Sequence, residues 1–206
     1  MDTSSLGKKF QSERLIYRSL EINDQDKEFF FKLENDPVAS ALASPFLVRP
    51  KNKQSVEEFM KELQKAVLAV VLCLTPAEAK NHDIETTEPT PIGYICLGWG
   101  GTPPDMGPHR NTHMGIVIAD GFRNQGYGAE SINWALDWAF KRGGYHRVGI
   151  GTFGFNERGQ HLYEKLGFVE EGRAREVIWF ERKWWDMIDY GMLESEWEAL
   201  RAKSDK

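Results

Sequence analysis

Apolar positions along this chain recur with two periods, and the switches between them predict an alternation of strands and helices. Residues 14–20 mix apolar and polar side chains around a β-branched centre and predict a strand, with a helix over 25–35 after it. Asp36-Pro37 is expected to stop that helix, leaving a loop through Pro45 and Pro50. A capping box formed by Ser55 and Glu58 predicts a second helix starting near Ser55. Apolar runs at 67–74, 92–99 and 112–119 predict three neighbouring, antiparallel strands, the last two joined by a Gly/Pro-rich turn over 100–108. Between the first two, residues 75–91 are hydrophilic, contain three prolines and have no period, so they predict an exposed, mobile insertion. The strongest period follows: Ile132, Ala135, Leu136, Ala139 and Phe140 share one helix face, ended by Gly143-Gly144. Residues 146–152 predict a strand, 156–166 a helix closed by Gly167, and 168–193 two strands turning near 181–183. The tail from 194 to 206 is expected to be helical or frayed.

The result is a mixed α/β chain of 206 residues, short enough for a single domain with a core over about residues 13–197. With 41% hydrophobic and 28% charged residues it can bury a core, which excludes a disordered chain. A formal charge of -5 removes the cationic surface that nucleic-acid binding requires, so no nucleic-acid partner is expected. The longest apolar run, 66–74, is nine residues where a membrane span needs about 20. The N-terminus, with Lys8 and Lys9 and then polar residues, does not read as a signal peptide. No membrane partner is expected. Cys73 and Cys96 sit in apolar runs without metal-ligand spacing and read as buried thiols of a reducing, cytoplasmic protein with no metal.

Two segments carry candidate chemistry. Residues 118–128, Ile-Ala-Asp-Gly-Phe-Arg-Asn-Gln-Gly-Tyr-Gly, run from a strand through a glycine-rich turn into the long helix. Such a turn aims backbone N–H groups and the positive end of a helix dipole at one point, where a phosphate sits well. Gly126 and Gly128 allow close backbone approach and Arg123 offers a charge, although a plain strand-to-helix turn would use the same glycines. The spacing is neither the dinucleotide fingerprint nor the P-loop. In residues 155–168, Asn156 and Tyr163 lie seven apart and so on one helix face; Tyr163 equally suits a core position.

Taken together, in this order and separation, the two segments resemble the GNAT superfamily of acyl-CoA-dependent N-acetyltransferases. The closest pattern is the branch that acetylates ribosomal-protein N-termini. The resemblance runs from about Glu13 to Trp197. It is strongest over 109–193, through Arg-Asn-Gln-Gly-Tyr-Gly, Asn-Glu-Arg-Gly with Leu-Tyr-Glu-Lys-Leu-Gly-Phe, and Glu-Glu-Gly-Arg-Ala-Arg-Glu. It implies a mixed, mostly antiparallel, twisted sheet flanked by helices, with a V-shaped splay between the fourth and fifth strands. It also implies acetyl-CoA as acyl donor. By the same resemblance Arg123, Asn124, Gln125, Gly126, Tyr127, Gly128 and Ala129 hold the CoA pyrophosphate, and Ile116, Val117 and Ile118 pair with the pantetheine. Asn156 contacts the pantetheine arm and Tyr163 protonates the departing sulfur. The acceptor is implied to lie between residues 36–50 and a last hairpin near Trp179, Trp184 and Trp185.

The chain departs from the family pattern at three points. Asn124-Gln125 stands where Gly-Lys is common, Asp120 where a proline is common, and His113 where a glutamate is often found. The first removes a positive charge, and Asn tolerates the positive φ that a glycine there supplies. A histidine is well matched to deprotonating an amine, so His113 is the candidate base, with a structural histidine as the equal alternative. The expected activity is acetyl transfer from acetyl-CoA to a primary amine, a peptide N-terminus or a small molecule, by direct attack in a ternary complex of a monomer or homodimer. The alternatives are a CoA-binding module with little or no catalysis and an interaction protein on the same fold.

Overall fold

The computed structural model describes residues 9–204. Among the described residues, seven strands form one sheet: Leu15–Ser19 (β1), Leu68–Leu74 (β2), Thr90–Leu97 (β3), Asn111–Ile118 (β4), Arg147–Phe153 (β5), Val169–Phe180 (β6) and Lys183–Leu193 (β7). Their order is β1-β2-β3-β4-β5-β7-β6. Only β4 and β5 run parallel. Their register pairs 111–114 with 147–150 and goes no further, so the strands splay and leave 115–118 without a partner on the β5 side.

Helices cover both faces. Asp24–Glu34 (α1), Pro37–Ala43 (α2) and Lys53–Leu63 (α3) set Phe30, Leu33, Ala39, Val56 and Met60 against Val71, Cys73, Tyr94, Cys96 and Val117. On the other face Tyr127–Lys141 (α5) packs Ile132, Ala135, Leu136 and Ala139 against Leu72, Leu74, Ile95, Leu97 and Ile150. Burial of successive residues on opposite faces explains why β2 and β3 read as unbroken apolar runs. Glu157–Lys165 (α6) and Glu194–Ser204 (α7) complete the layer; residues 205 and 206 of the expected tail lie outside the described residues, as does Lys8.

Three expectations need correction, all at prolines or caps. Asp36-Pro37 starts a helix where it was expected only to end one: the Asp36 carboxylate accepts from Val38 N–H, and Pro37 occupies the first turn, where its missing N–H costs nothing. The cap of α3 is Asn52, whose side chain accepts from Ser55 N–H, while Glu58 takes a hydrogen bond from Gln54. Within 75–91, Thr75 caps a short helix, Pro76–Lys80 (α4), whose Ala79 is completely buried. α4 is packed on the core, while residues 81–89 have neither helix nor strand and are exposed or half-buried.

Burial raises the phenols of Tyr17, Tyr94 and Tyr190 above their ordinary value and pushes Tyr127 and Tyr163 up to about 12. Each phenol is held neutral in the folded chain, so its contribution is complete below the unfolded value of about 10 and is lost as pH rises toward 12. Thermal melts across pH 8–12 are expected to show a flat stability to about pH 10 and a steep fall above it. A melting temperature still level at pH 11.5 would contradict this.

Candidate active site

The turn between β4 and α5 takes its shape from residues that tolerate positive φ. Asn124 has φ 66° and Gly126 φ 87°, so asparagine does fill the position of a common glycine. Gly126 is the cap of α5 and offers no side chain to satisfy the first N–H groups. Glu130 N–H donates to Gly126 C=O, which leaves the N–H groups of Tyr127, Gly128 and Ala129 without helical partners. They converge, with the helix dipole, on one anion-sized point. Just before β1 an arginine braces this turn: Arg14 Nη1 donates to Gln125 C=O at 2.9 Å, and its Nε donates to the Glu130 carboxylate at 2.9 Å. Its guanidinium also stacks over the Tyr127 ring at 4.5 Å.

The open edge of β4 supplies a second set of backbone groups. His113 C=O accepts from Gly98 N–H and Ala119 N–H donates to Ile92 C=O, so the odd residues of β4 face β3. By alternation, Ile116 N–H and C=O and Ile118 N–H face the splay. Ile118 C=O is taken by Arg123 Nε at 3.0 Å.

A cavity of about 320 Å³ lies along this edge and turn, lined by Ile116, Val117, Ile118, Arg123, Asn124, Gly126, Gly128, Ala129, Asn156 and Tyr163. A second cavity, of about 470 Å³, lies beyond it toward α1–α3 and contains His113. Ile116, Val117 and Tyr163 line both, so the two meet at Tyr163. The Tyr163 ring is buried against Phe168 and Tyr190, which with burial itself holds the phenol protonated. The His113 ring sits against Gly149, where a Cβ would come within 2.8 Å of its Cε1 and Nε2 atoms.

Several predicted residues stand differently from the expectation. Gln125 and Tyr127 do not line the cavity: the Gln125 amide folds back onto Gly121 C=O at 2.6 Å. The Tyr127 hydroxyl points into the fold, donating to Glu78 at 2.6 Å and meeting His82 at 2.7 Å. Arg123 spends its charge on Asp36 and, at 3.5 Å, Asp120. Burial pushes the Asp36 carboxyl up, but the Arg123 hydrogen bond and the N–H groups of Ala39 and Val38 outweigh it and hold the group below its ordinary value. The Asn156 side chain is the cap of α6, accepting from Gly159 N–H and donating to Thr152. The hairpin tryptophans do not wall the second cavity. Trp179 and Trp184 pack on each other across the strands with their rings tilted by 56°, and Trp185 packs edge-on against Phe155.

Sequence reasoning missed Arg158. It lies in the first turn of α6, two residues after the Asn156 cap, lines the first cavity and donates to Asn124 Oδ1 at 2.9 Å. Among the described residues no carboxylate pairs with it. Its position in the Asn-Glu-Arg-Gly segment was the available signal. Cys96 lines the second cavity, but burial pushes its thiol up to about 11, as it does Cys73, so neither is a ready nucleophile.

Residues 71–168 match the acetyltransferase (GNAT) family. A prophage-derived N-acetyltransferase of Bacillus subtilis, YokL, is 31% identical over 83 residues, 40% of this chain and 47% of that protein. The spermidine N(1)-acetyltransferase of Vibrio cholerae is 32% identical over 89 residues, 43% of this chain and 51% of that protein. The chain thus spans about half the length of these curated relatives. The crystal structure of a Vibrio cholerae spermidine N-acetyltransferase with CoA and spermine superposes with a TM-score of 0.71 at 22% identity, covering 91% of this chain and 99% of that one. This chain has the GNAT fold. The parallel pairing and splay of β4 and β5 fit that fold.

Proposed function

We propose that this chain, acting as one acetyltransferase domain, moves the acetyl group of acetyl-CoA to a primary amine by direct attack in a ternary complex. The observation that carries the reading is the meeting of two cavities at one protonated phenol, Tyr163, beside the unpaired N–H of Ile116. Acetyl-CoA supplies an activated acyl group and a thiolate leaving group. The N–H groups of Tyr127, Gly128 and Ala129 hold the pyrophosphate, with Arg158 supplying the charge that Arg123 gives to Asp36. Ile116 and Ile118 offer the open strand edge to the pantetheine, and Ile116 N–H faces the carbonyl oxygen where negative charge develops. Asn156 shapes the wall beside the arm through its cap. The amine nitrogen bonds to the acyl carbon, the carbon–sulfur bond breaks, and Tyr163 gives its proton to the sulfur. His113, in the acceptor cavity, takes the proton lost by the amine.

The test is thiol release from acetyl-CoA with a panel of amines, run beside the melting temperature with and without acetyl-CoA. Release with any amine supports the reading. The neutralised Arg123 favours a second one, a CoA-binding domain without turnover, and stabilisation without release across the panel would select it. His113→Ala is expected to lower kcat/KM by about 10²-fold near neutral pH, the range a general base supplies. A parental kcat/KM would assign the proton to water.

A further inference from the structure

The cavity beyond Tyr163 has walls that select its occupant. It is bounded by the rings of Phe46, Phe59, Tyr94 and Trp99 and by Met187, at about 470 Å³, within the range of small-molecule sites. Phe46 is 81% exposed and Trp99 46% exposed although both line the same hollow, so their apolar surface is left for something to cover. Its only lining carboxylate among the described residues is Glu34, and Lys51 Nζ holds that group at 2.5 Å. The pair is neutral and is further enclosed by the ring of Phe59, 5.7 Å from the ammonium.

From this charge balance, and resting on the acetyltransferase reading, we propose that the acceptor is a small primary amine with a single positive charge carried on an aromatic body. The amine nitrogen enters the Tyr163–His113 end and the ring lies among Phe46, Phe59 and Trp99. A polyamine brings one or more further ammonium groups, and burying each without a counter-charge is strongly unfavourable. Here the carboxylate that would receive it is already occupied. A peptide brings an amide per residue, and each amide buried without a partner against walls made mostly of apolar side chains costs free energy. The net charge of -5 draws any amine toward the protein, but the local pair, not the global field, decides which one fits.

The experiment is kcat/KM at saturating acetyl-CoA for tryptamine, phenethylamine, spermidine, cadaverine and a short alanine-initiated peptide. Tryptamine and phenethylamine are expected to exceed spermidine, cadaverine and the peptide by about 100-fold or more, the scale of one buried unpaired charge. Spermidine or the peptide reacting as fast as tryptamine overturns the inference and leaves the acetyltransferase reading standing. Thiol release with none of the five removes that reading and the inference with it. Lys51→Gln frees Glu34, so the ratio of cadaverine to phenethylamine is expected to rise by about tenfold, the scale of one hydrogen bond to a charged group. An unchanged ratio in a variant that melts cooperatively would show that the Glu34–Lys51 pair does not exclude the second charge, and would overturn the argument from charge.

Discussion

Tyr163→Phe is expected to lower kcat by about 10²-fold while leaving the affinity for acetyl-CoA within about twofold of the parent, the range a single general acid supplies. The expectation follows from where the hydroxyl stands. It makes no hydrogen bond to any described residue, so its removal leaves no partner unsatisfied and the ring keeps its packing on Phe168 and Tyr190. Stability is therefore expected to move by less than about 1 kcal/mol. Burial, with Tyr190 beside it, pushes the phenol up to about 12, so the acid stays protonated through the working pH range. The parent kcat should consequently show no alkaline limb below about pH 10, and that limb should not be what the variant loses. Steady-state thiol release with the parent's best amine, read against an equilibrium titration of acetyl-CoA, separates the two effects. A variant with parental kcat would take the acid role away from Tyr163; one with weakened acetyl-CoA binding would make it a wall of the cofactor cleft.

The sequence carried the framework of this site because its signals are local. A glycine turn needs Gly126 and a residue that accepts positive φ at Asn124, and both are legible as residue types within one short segment. The face of α5 is legible because Ile132, Ala135, Leu136 and Ala139 all point at one sheet. What the sequence hid is pairing over distance. Arg123 reads as a phosphate ligand until Asp36, 87 positions earlier, is found against it. The walls of the acceptor cavity come from α1, α2, the 44–51 loop, α3, β3, β4, β5, α6 and β7, so no segment announces them. Tryptophans near the last turn drew the eye by composition, whereas Trp99, beyond the end of β3, is the one that lines the hollow. Prolines misled for a related reason. At Pro37 and Pro76 the preceding Asp36 and Thr75 cap a helix, so each proline opens a first turn where its missing N–H costs nothing.

Arg14→Met is expected to raise the KM for acetyl-CoA by about tenfold and to leave kcat at saturation nearly unchanged, because Arg14 touches the turn and not the reacting atoms. Three interactions of its side chain converge on the anion site: Nη1 on Gln125 C=O, Nε on Glu130, and the guanidinium over Tyr127. Glu130 in turn accepts from Arg14 N–H at 2.8 Å and from the Ser12 hydroxyl at 2.6 Å, tying the segment that leads into β1 to the first turn of α5. Methionine keeps the apolar stem against Tyr127 and removes the fork. Gln125 C=O then loses its donor, and the Gly126 backbone, in a left-handed conformation with no cap of its own, loses the contact that holds it. The N–H groups of Tyr127, Gly128 and Ala129 no longer converge before the pyrophosphate arrives, so binding must order them first. Glu130 retains two donors, and its loss of charge pairing is expected to cost about 1–3 kcal/mol of stability, the range for a partly buried hydrogen bond to a charged group. The drop in melting temperature should be recovered in part by saturating acetyl-CoA, since the ligand binds only the ordered turn. A variant with parental KM would show that the turn holds its shape without Arg14, and that Gly126 and the helix N-terminus are sufficient for the anion.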